Sequence, residues 1–186
     1  MKRIAVFCSS SERIDRCFFD DAEALGEAMV QRDWGLVYGG ANCGLMRMLA
    51  ETVEQGGGKA LGVIPRRIVE RGKAAQNISE LVVTEDMKER KSLLREHADA
   101  FIALPGGWGT LEEIIEVISL RQLEEHHKPI VFLNTNGFYT RFFEFIAYCH
   151  QGKFISPLYD NLYIIADTVE EAIAYLEREF SAMSME

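Results

Sequence analysis

The pentapeptide Ala100-Phe101-Ile102-Ala103-Leu104 carries no polar side chain and is too short for a buried helix. Such a run fits a strand covered on both faces, the usual condition in parallel sheets. Runs of similar character occupy Arg3–Cys8, Leu36–Tyr38, Ala60–Ile64, Leu81–Thr84, Ile130–Asn134 and Leu162–Ala166. Helical periodicity fills the intervals, over about Phe18–Arg32, Gly44–Glu54, Asp86–His97, Thr110–Glu124, Tyr139–His150 and Val169–Phe180. The polar, basic stretch Arg66–Asn77 reads only as a mobile loop with at most a helical turn. Strand then helix, repeated, predicts an α/β Rossmann-like fold: a mostly parallel sheet with helices on both faces. With no repeat or linker, the 186 residues suit one domain spanning 1–186. In such folds ligands bind beyond the carboxyl ends of the strands.

Charge and composition narrow the ligand classes. A formal net charge of -9 provides no general basic surface for nucleic acid. A small anion is still admissible, because a few Arg, Lys and backbone N–H groups outweigh the global sign locally. No segment reaches the roughly 18 apolar residues needed to span a bilayer. The run Ile4–Cys8 behind Met1-Lys2-Arg3 is too short for a signal-peptide core, so no membrane partner is expected. Cys8, Cys17, Cys43 and Cys149 are scattered without a Cys-x-x-Cys pair, as in a cytoplasmic protein with reduced thiols. His126 and His127 are adjacent, diverge on a helix and make a poor metal site, so neither a metal nor a cofactor is expected.

Leu104-Pro105-Gly106-Gly107-Trp108-Gly109-Thr110 joins a buried strand to an amphipathic helix. Its glycines let the backbone approach a ligand, and the helix start offers unpaired N–H groups and a positive dipole end. Thr110 can cap the helix or bond a phosphate oxygen. An anion site is the reading that explains so many glycines better than a tight turn does. A P-loop is excluded because no Gly-Lys-Ser/Thr follows. A dinucleotide fingerprint is excluded because the first strand ends in Cys8-Ser9-Ser10-Ser11. A second glycine cluster, Tyr38-Gly39-Gly40-Ala41-Asn42-Cys43-Gly44, belongs on the same sheet edge beside Ser9 and Ser10.

Two ionisable residues fall where apolar ones belong. Met87, Arg90, Leu94 and His97 trace one stripe, so Arg90 points inward and needs a phosphate, a carboxylate ligand or a core acid as partner. Lys91 lies at the stripe's edge, while Lys88 and Arg95 face solvent. On the next helix, Leu111, Ile114, Ile115 and Ile118 form the apolar face, with Glu112 and Glu116 solvated opposite. Glu112, beside Glu113, also counts as a candidate substrate contact. Glu113 sits on the shoulder of the core, within one turn of the glycine loop. There it is a candidate general base or cation stabiliser, or simply a partner for the helix dipole. Ser119, Arg121 and Gln122 line either a pocket or a helix–helix contact.

Pro105–Glu113 matches Pro-Gly-Gly-x-Gly-Thr-x-x-Glu in full, and Asp86-Met87-x-x-Arg90-Lys91 matches a companion motif. Together they resemble the Lonely Guy family of cytokinin riboside 5′-monophosphate phosphoribohydrolases, many of which carry the label lysine decarboxylase. The likeness runs from the end of the first strand through Lys128-Pro129. It implies hydrolysis of the N-glycosidic bond of AMP or N6-substituted AMP, giving free base and ribose 5-phosphate. It also implies a homodimer with the helix of Arg121 and Gln122 near the contact. Arg90 and Glu113 occupy the catalytic positions, and Lys91, Gly107, Gly109, Thr110 and Ser119 match substrate-contact positions. Ser9, Ser10, Gly39, Gly40, Met87, Gly106 and Trp108 complete the expected substrate-binding set. Arg90 is left with three roles: holding phosphate, steering Glu113 or aiding the departing base. Lys88, Ala41, Arg47 and Ser9 stand where the family usually has His, Gly, Gly and Gly, departures that bear on the N6 substituent. The alternative of another class is a non-catalytic nucleotide or molybdenum-cofactor carrier of the same fold. A true lysine decarboxylase does not fit, for want of a Schiff-base Lys in a pyridoxal phosphate pocket.

Overall fold

The computed structural model describes residues 1–183. Seven strands form one all-parallel sheet: β1 (Arg3–Phe7), β2 (Gly35–Tyr38), β3 (Ala60–Pro65), β4 (Glu80–Thr84), β5 (Ala100–Ala103), β6 (Ile130–Leu133) and β7 (Ile164–Ala166). Their spatial order is β4-β3-β2-β1-β5-β6-β7, so the chain reverses its direction of travel between β1 and β5. The helices are α1 (Arg16–Val30), α2 (Gly44–Gln55), α3 (Arg66–Val69), α4 (Met87–Glu96), α5 (Trp108–Gln122), α6 (Thr140–Gln151) and α7 (Val169–Met183). None is long and apolar enough to cross a membrane.

The sheet separates two cores. Leu25, Met29, Leu45, Leu49, Val53 and Leu176 bring α1, α2 and α7 against one face. Leu94, Ile114, Val117 and Tyr139 pack α4, α5 and the start of α6 on the other, with Phe101 and Phe132. Right-handed crossovers explain the division: β1 to β4 advance one way, and β4 to β7 return the other. Consequently α4 and α5 share a face although their strands are not sheet neighbours.

The structure differs from the sequence reading in local ways. Helix α5 begins at Trp108 rather than Thr110, and β7 is only Ile164–Ala166. The buried line of α5 is Thr110, Ile114 and Val117, whereas Ile115, expected inside, is exposed. Leu111 and Ile118 do pack against the core, so Ile115 alone of that apolar set turns outward. The basic stretch after β3 makes the short helix α3, then is tied to the loop after β2. Ala41 bridges Ala74, Asn42 N–H donates to Lys73 O at 2.8 Å, and Ala75 N–H donates to Gly40 O at 2.9 Å.

Candidate active site

Three loops meet beyond the carboxyl ends of β1, β2 and β5, at the point where strand order reverses. They are cross-tied through backbone groups. Leu104 N–H donates to Phe7 O at 2.9 Å, Ser9 N–H to Pro105 O at 3.1 Å and Leu45 N–H to Ser9 O at 3.0 Å. Gly44 is left-handed (φ 56°), and a Cβ there would stand 2.5 Å from the Ser10 carbonyl carbon. Glu12 accepts from Gly44 N–H at 2.8 Å and from Arg47 at 3.0 Å, so Arg47 braces the first loop to α2. Tyr139 Oη, donating to Leu104 O at 2.7 Å from below, fixes the end of β5.

The loops enclose a cavity of about 800 Å³. On one wall the first α-helical bond of α5 runs from Leu111 N–H to Gly107 O at 3.0 Å, which leaves the N–H groups of Trp108, Gly109 and Thr110 free of intrahelical partners. The glycines here divide by purpose. A Cβ on Gly106 would lie 2.0 Å from Thr110 Oγ1, so Gly106 makes room for the buried threonine. A Cβ on Gly107 or Gly109 would meet nothing within 4 Å, and neither has a positive φ. Their bareness serves no contact within the protein, and it opens the backbone to the cavity.

Arg90 and Glu113 form a buried ion pair on the cavity floor, joining Arg90 Nη1 to Glu113 Oε1. Arg90 is 8% exposed, and its Nε donates to Val63 O at 3.0 Å. Gly39 is required by this placement, since a Cβ there would lie 2.5 Å from Arg90 Nη2. Asp86 accepts from Glu89 N–H at 2.8 Å and caps α4, which fixes the stripe from which Arg90 projects. Burial pushes the Glu113 carboxyl above its ordinary range, and the Arg90 guanidinium opposes this without cancelling it. The Cys8 thiol, also lining the cavity, is pushed up by burial and then by the charge of Glu113. A desolvated carboxylate held by a guanidinium, facing a space edged by helix amides, can stabilise a developing cation beside a bound anion.

Of the residues expected from sequence, Ser9, Ser10, Gly39, Met87, Arg90, Gly107, Trp108, Gly109, Thr110 and Glu113 line this cavity together. Five others do not. Gly40 turns the β2 loop, and Gly106 lies against Thr110. Ser119 Oγ donates to Ile115 O at 2.8 Å on the exposed side of α5. Lys91 donates to Glu112 at 2.5 Å and also to Glu116, while Arg95 donates to Glu116 as well. Glu116 and Arg95, read as solvated, thus form part of an α4–α5 ion cluster. Side-chain reach across the helix–helix groove, invisible to periodicity, accounts for the difference. The sequence reading missed Val63, Met46, Arg67 and Lys73; only the basic run Arg66–Asn77 offered a signal for the last two.

The family described as "possible lysine decarboxylase" matches residues 46–176. Cytokinin riboside 5′-monophosphate phosphoribohydrolase LOG5 of Arabidopsis thaliana is 40% identical over 176 residues, covering 95% of this chain and 77% of that protein. LOG7 of the same plant is 42% identical over 176 residues, covering 95% and 81%. The chain belongs to the LOG family. Among solved structures, a molybdenum cofactor binding protein from Rippkaea orientalis superposes with a TM-score of 0.74 at 20% identity, covering 97% of this chain and 98% of that one. A Moco carrier protein from Chlamydomonas reinhardtii has a TM-score of 0.74 at 21% identity, with coverage of 97% and 98%. These two share the fold. The glycine loop and the Arg90–Glu113 pair of this LOG-family chain both lie within the family's matched span.

Proposed function

We propose that this protein hydrolyses the N-glycosidic bond of AMP-like nucleoside 5′-monophosphates, releasing free base and ribose 5-phosphate. The observation that carries this reading is the buried Arg90–Glu113 pair opening into the same cavity as the bare amides that start α5. The 5′-phosphate accepts from the N–H groups of Trp108, Gly109 and Thr110 and is favoured by the helix dipole. As the base departs, positive charge grows on the ribose, and the Glu113 carboxylate stabilises it while orienting the attacking water. Arg90 holds Glu113 in place through the pair, and its second nitrogen beside Gly39 faces the cavity. Lys91, engaged by Glu112 and Glu116, acts on this site through the α4–α5 packing.

The protein works as a homodimer in this proposal, with α5 near the contact. Support comes from Ile115, exposed on α5, from Leu123, exposed just after it, and from Phe145 and Tyr148, exposed on α6, which packs on the same side of the sheet. The four free cysteines suit a reducing cytoplasm. The test is chromatography for free base across a panel of nucleoside 5′-monophosphates. Adenine released from AMP is the expected result. Glu113→Gln should still bind AMP, with turnover reduced at least a hundredfold, the scale of a lost catalytic carboxylate. Tight AMP binding with no base released by the unaltered protein would instead indicate a carrier.

A further inference from the structure

The wall of the cavity opposite the glycine loop is formed by the end of β3 and the segment after it: Ile64, Pro65, Arg67, Ile68 and Lys73. The charged residues lining the cavity are Glu12, Arg67, Lys73, Arg90 and Glu113. Both carboxylates are already engaged, Glu12 by Gly44 N–H and Arg47, and Glu113 by Arg90. Neither Arg67 nor Lys73 has a side-chain hydrogen bond or ion pair among the described residues, whereas Arg66 next door is taken up by Glu85 at 2.5 Å. In a chain of net charge -9, this space keeps two uncompensated cations. Their position is fixed by the backbone. Arg67 lies in the turn of α3 directly after β3, and Lys73 is held over the β2 loop by its carbonyl, which accepts from Asn42 N–H at 2.8 Å.

The sheet supplies the scale. From β5 to β3 there are three strand spacings, about 14 Å. A nucleoside monophosphate with its phosphate on the start of α5, lying along the cavity, extends its base toward the wall of Arg67 and Lys73. We propose that these two residues determine specificity at the base end, and that the favoured substrates are nucleoside 5′-monophosphates bearing a carboxylate on the base-side substituent. The inference rests on the phosphoribohydrolase reading above and refines its substrate class. A carboxylate accepts from both the ammonium and the guanidinium head, whereas an apolar substituent gains nothing from either.

The test compares three substrates by ribose 5-phosphate release: AMP, isopentenyl-AMP and adenylosuccinate, an AMP with two carboxylates on its exocyclic nitrogen. The kcat/KM for adenylosuccinate is expected to exceed that for isopentenyl-AMP. In Arg67→Ala/Lys73→Ala the ratio of the two should fall on the order of tenfold, and more steeply at low than at high salt, as for two exposed charge pairs. Arg67→Lys/Lys73→Arg should restore most of it. Both residues are exposed, so truncation spares the core. A preference for isopentenyl-AMP, or a double variant that leaves the ratio unchanged, overturns the assignment. If none of the three is cleaved, the phosphoribohydrolase reading fails separately. Calorimetric binding of the same three ligands, with and without the double substitution, then decides the base-end assignment alone.

Discussion

At the scale of single residues, Glu113 has two opposed neighbours: the apolar interior, which penalises its charge, and Arg90, which rewards it. The balance leaves its carboxyl above the ordinary 4.5. A group that must be ionised to stabilise a cation then limits activity from the acid side. Carbon-detected NMR of the free protein should show a Glu113 midpoint above 4.5, and kcat/KM should fall as pH drops through that midpoint. Replacing Arg90 with Gln removes the favourable charge and should move the midpoint higher still; a downward movement would contradict the assigned balance. The inward direction of Arg90 was legible from its stripe with Met87 and Leu94. Its partner was not, because 23 residues separate Arg90 from Glu113 and no periodicity links two helices.

At the scale of elements, the start of α5 joins two demands that usually conflict. A glycine in a helix costs roughly 0.5–1 kcal/mol relative to alanine, yet Gly109 is retained where a Cβ would touch no protein atom. The stability given up exposes amides to an anion. Gly109→Ala should therefore raise the denaturation midpoint, by about 0.5 kcal/mol of stability in urea unfolding, and at the same time weaken AMP binding. A variant that binds AMP normally would argue that the phosphate sits elsewhere. Gly106→Ala differs, because its Cβ would enter the space of Thr110 Oγ1 and disturb the first turn itself. Sequence spacing marked the loop as a candidate anion site, but it did not separate the glycine that serves packing from the two that line the cavity.

For the whole molecule, the outward apolar flank has the widest consequence. Phe145 and Tyr148 are 60% and 66% exposed on α6, and Leu123 is exposed at the end of α5. Phe145 and Tyr148, three positions apart, share one face of α6, and an exposed apolar face of this kind marks an interface more often than solvent. Sedimentation should give a particle of about 42 kDa, twice the chain mass of 21.1 kDa. Phe145→Asp combined with Tyr148→Asp should yield particles of single-chain mass with the fold retained by circular dichroism. A single-chain mass for the unaltered protein would remove the dimer from the proposed mechanism.

The amino-acid sequence alone determined the order of strands and helices, the parallel character of the sheet, the glycine loop and the two misplaced charges. Each is a local matter of side-chain period, backbone freedom or burial cost, expressed within a turn or two of the chain. Tertiary structure decided which side chains meet. The reversal of strand order put α4 beside α5, paired Arg90 with Glu113 and closed Lys91 into an acidic clasp. It also brought Arg67 and Lys73 into the cavity that the glycine loop lines. Those meetings depend on the direction in which the chain crosses the sheet, a property of the assembled whole.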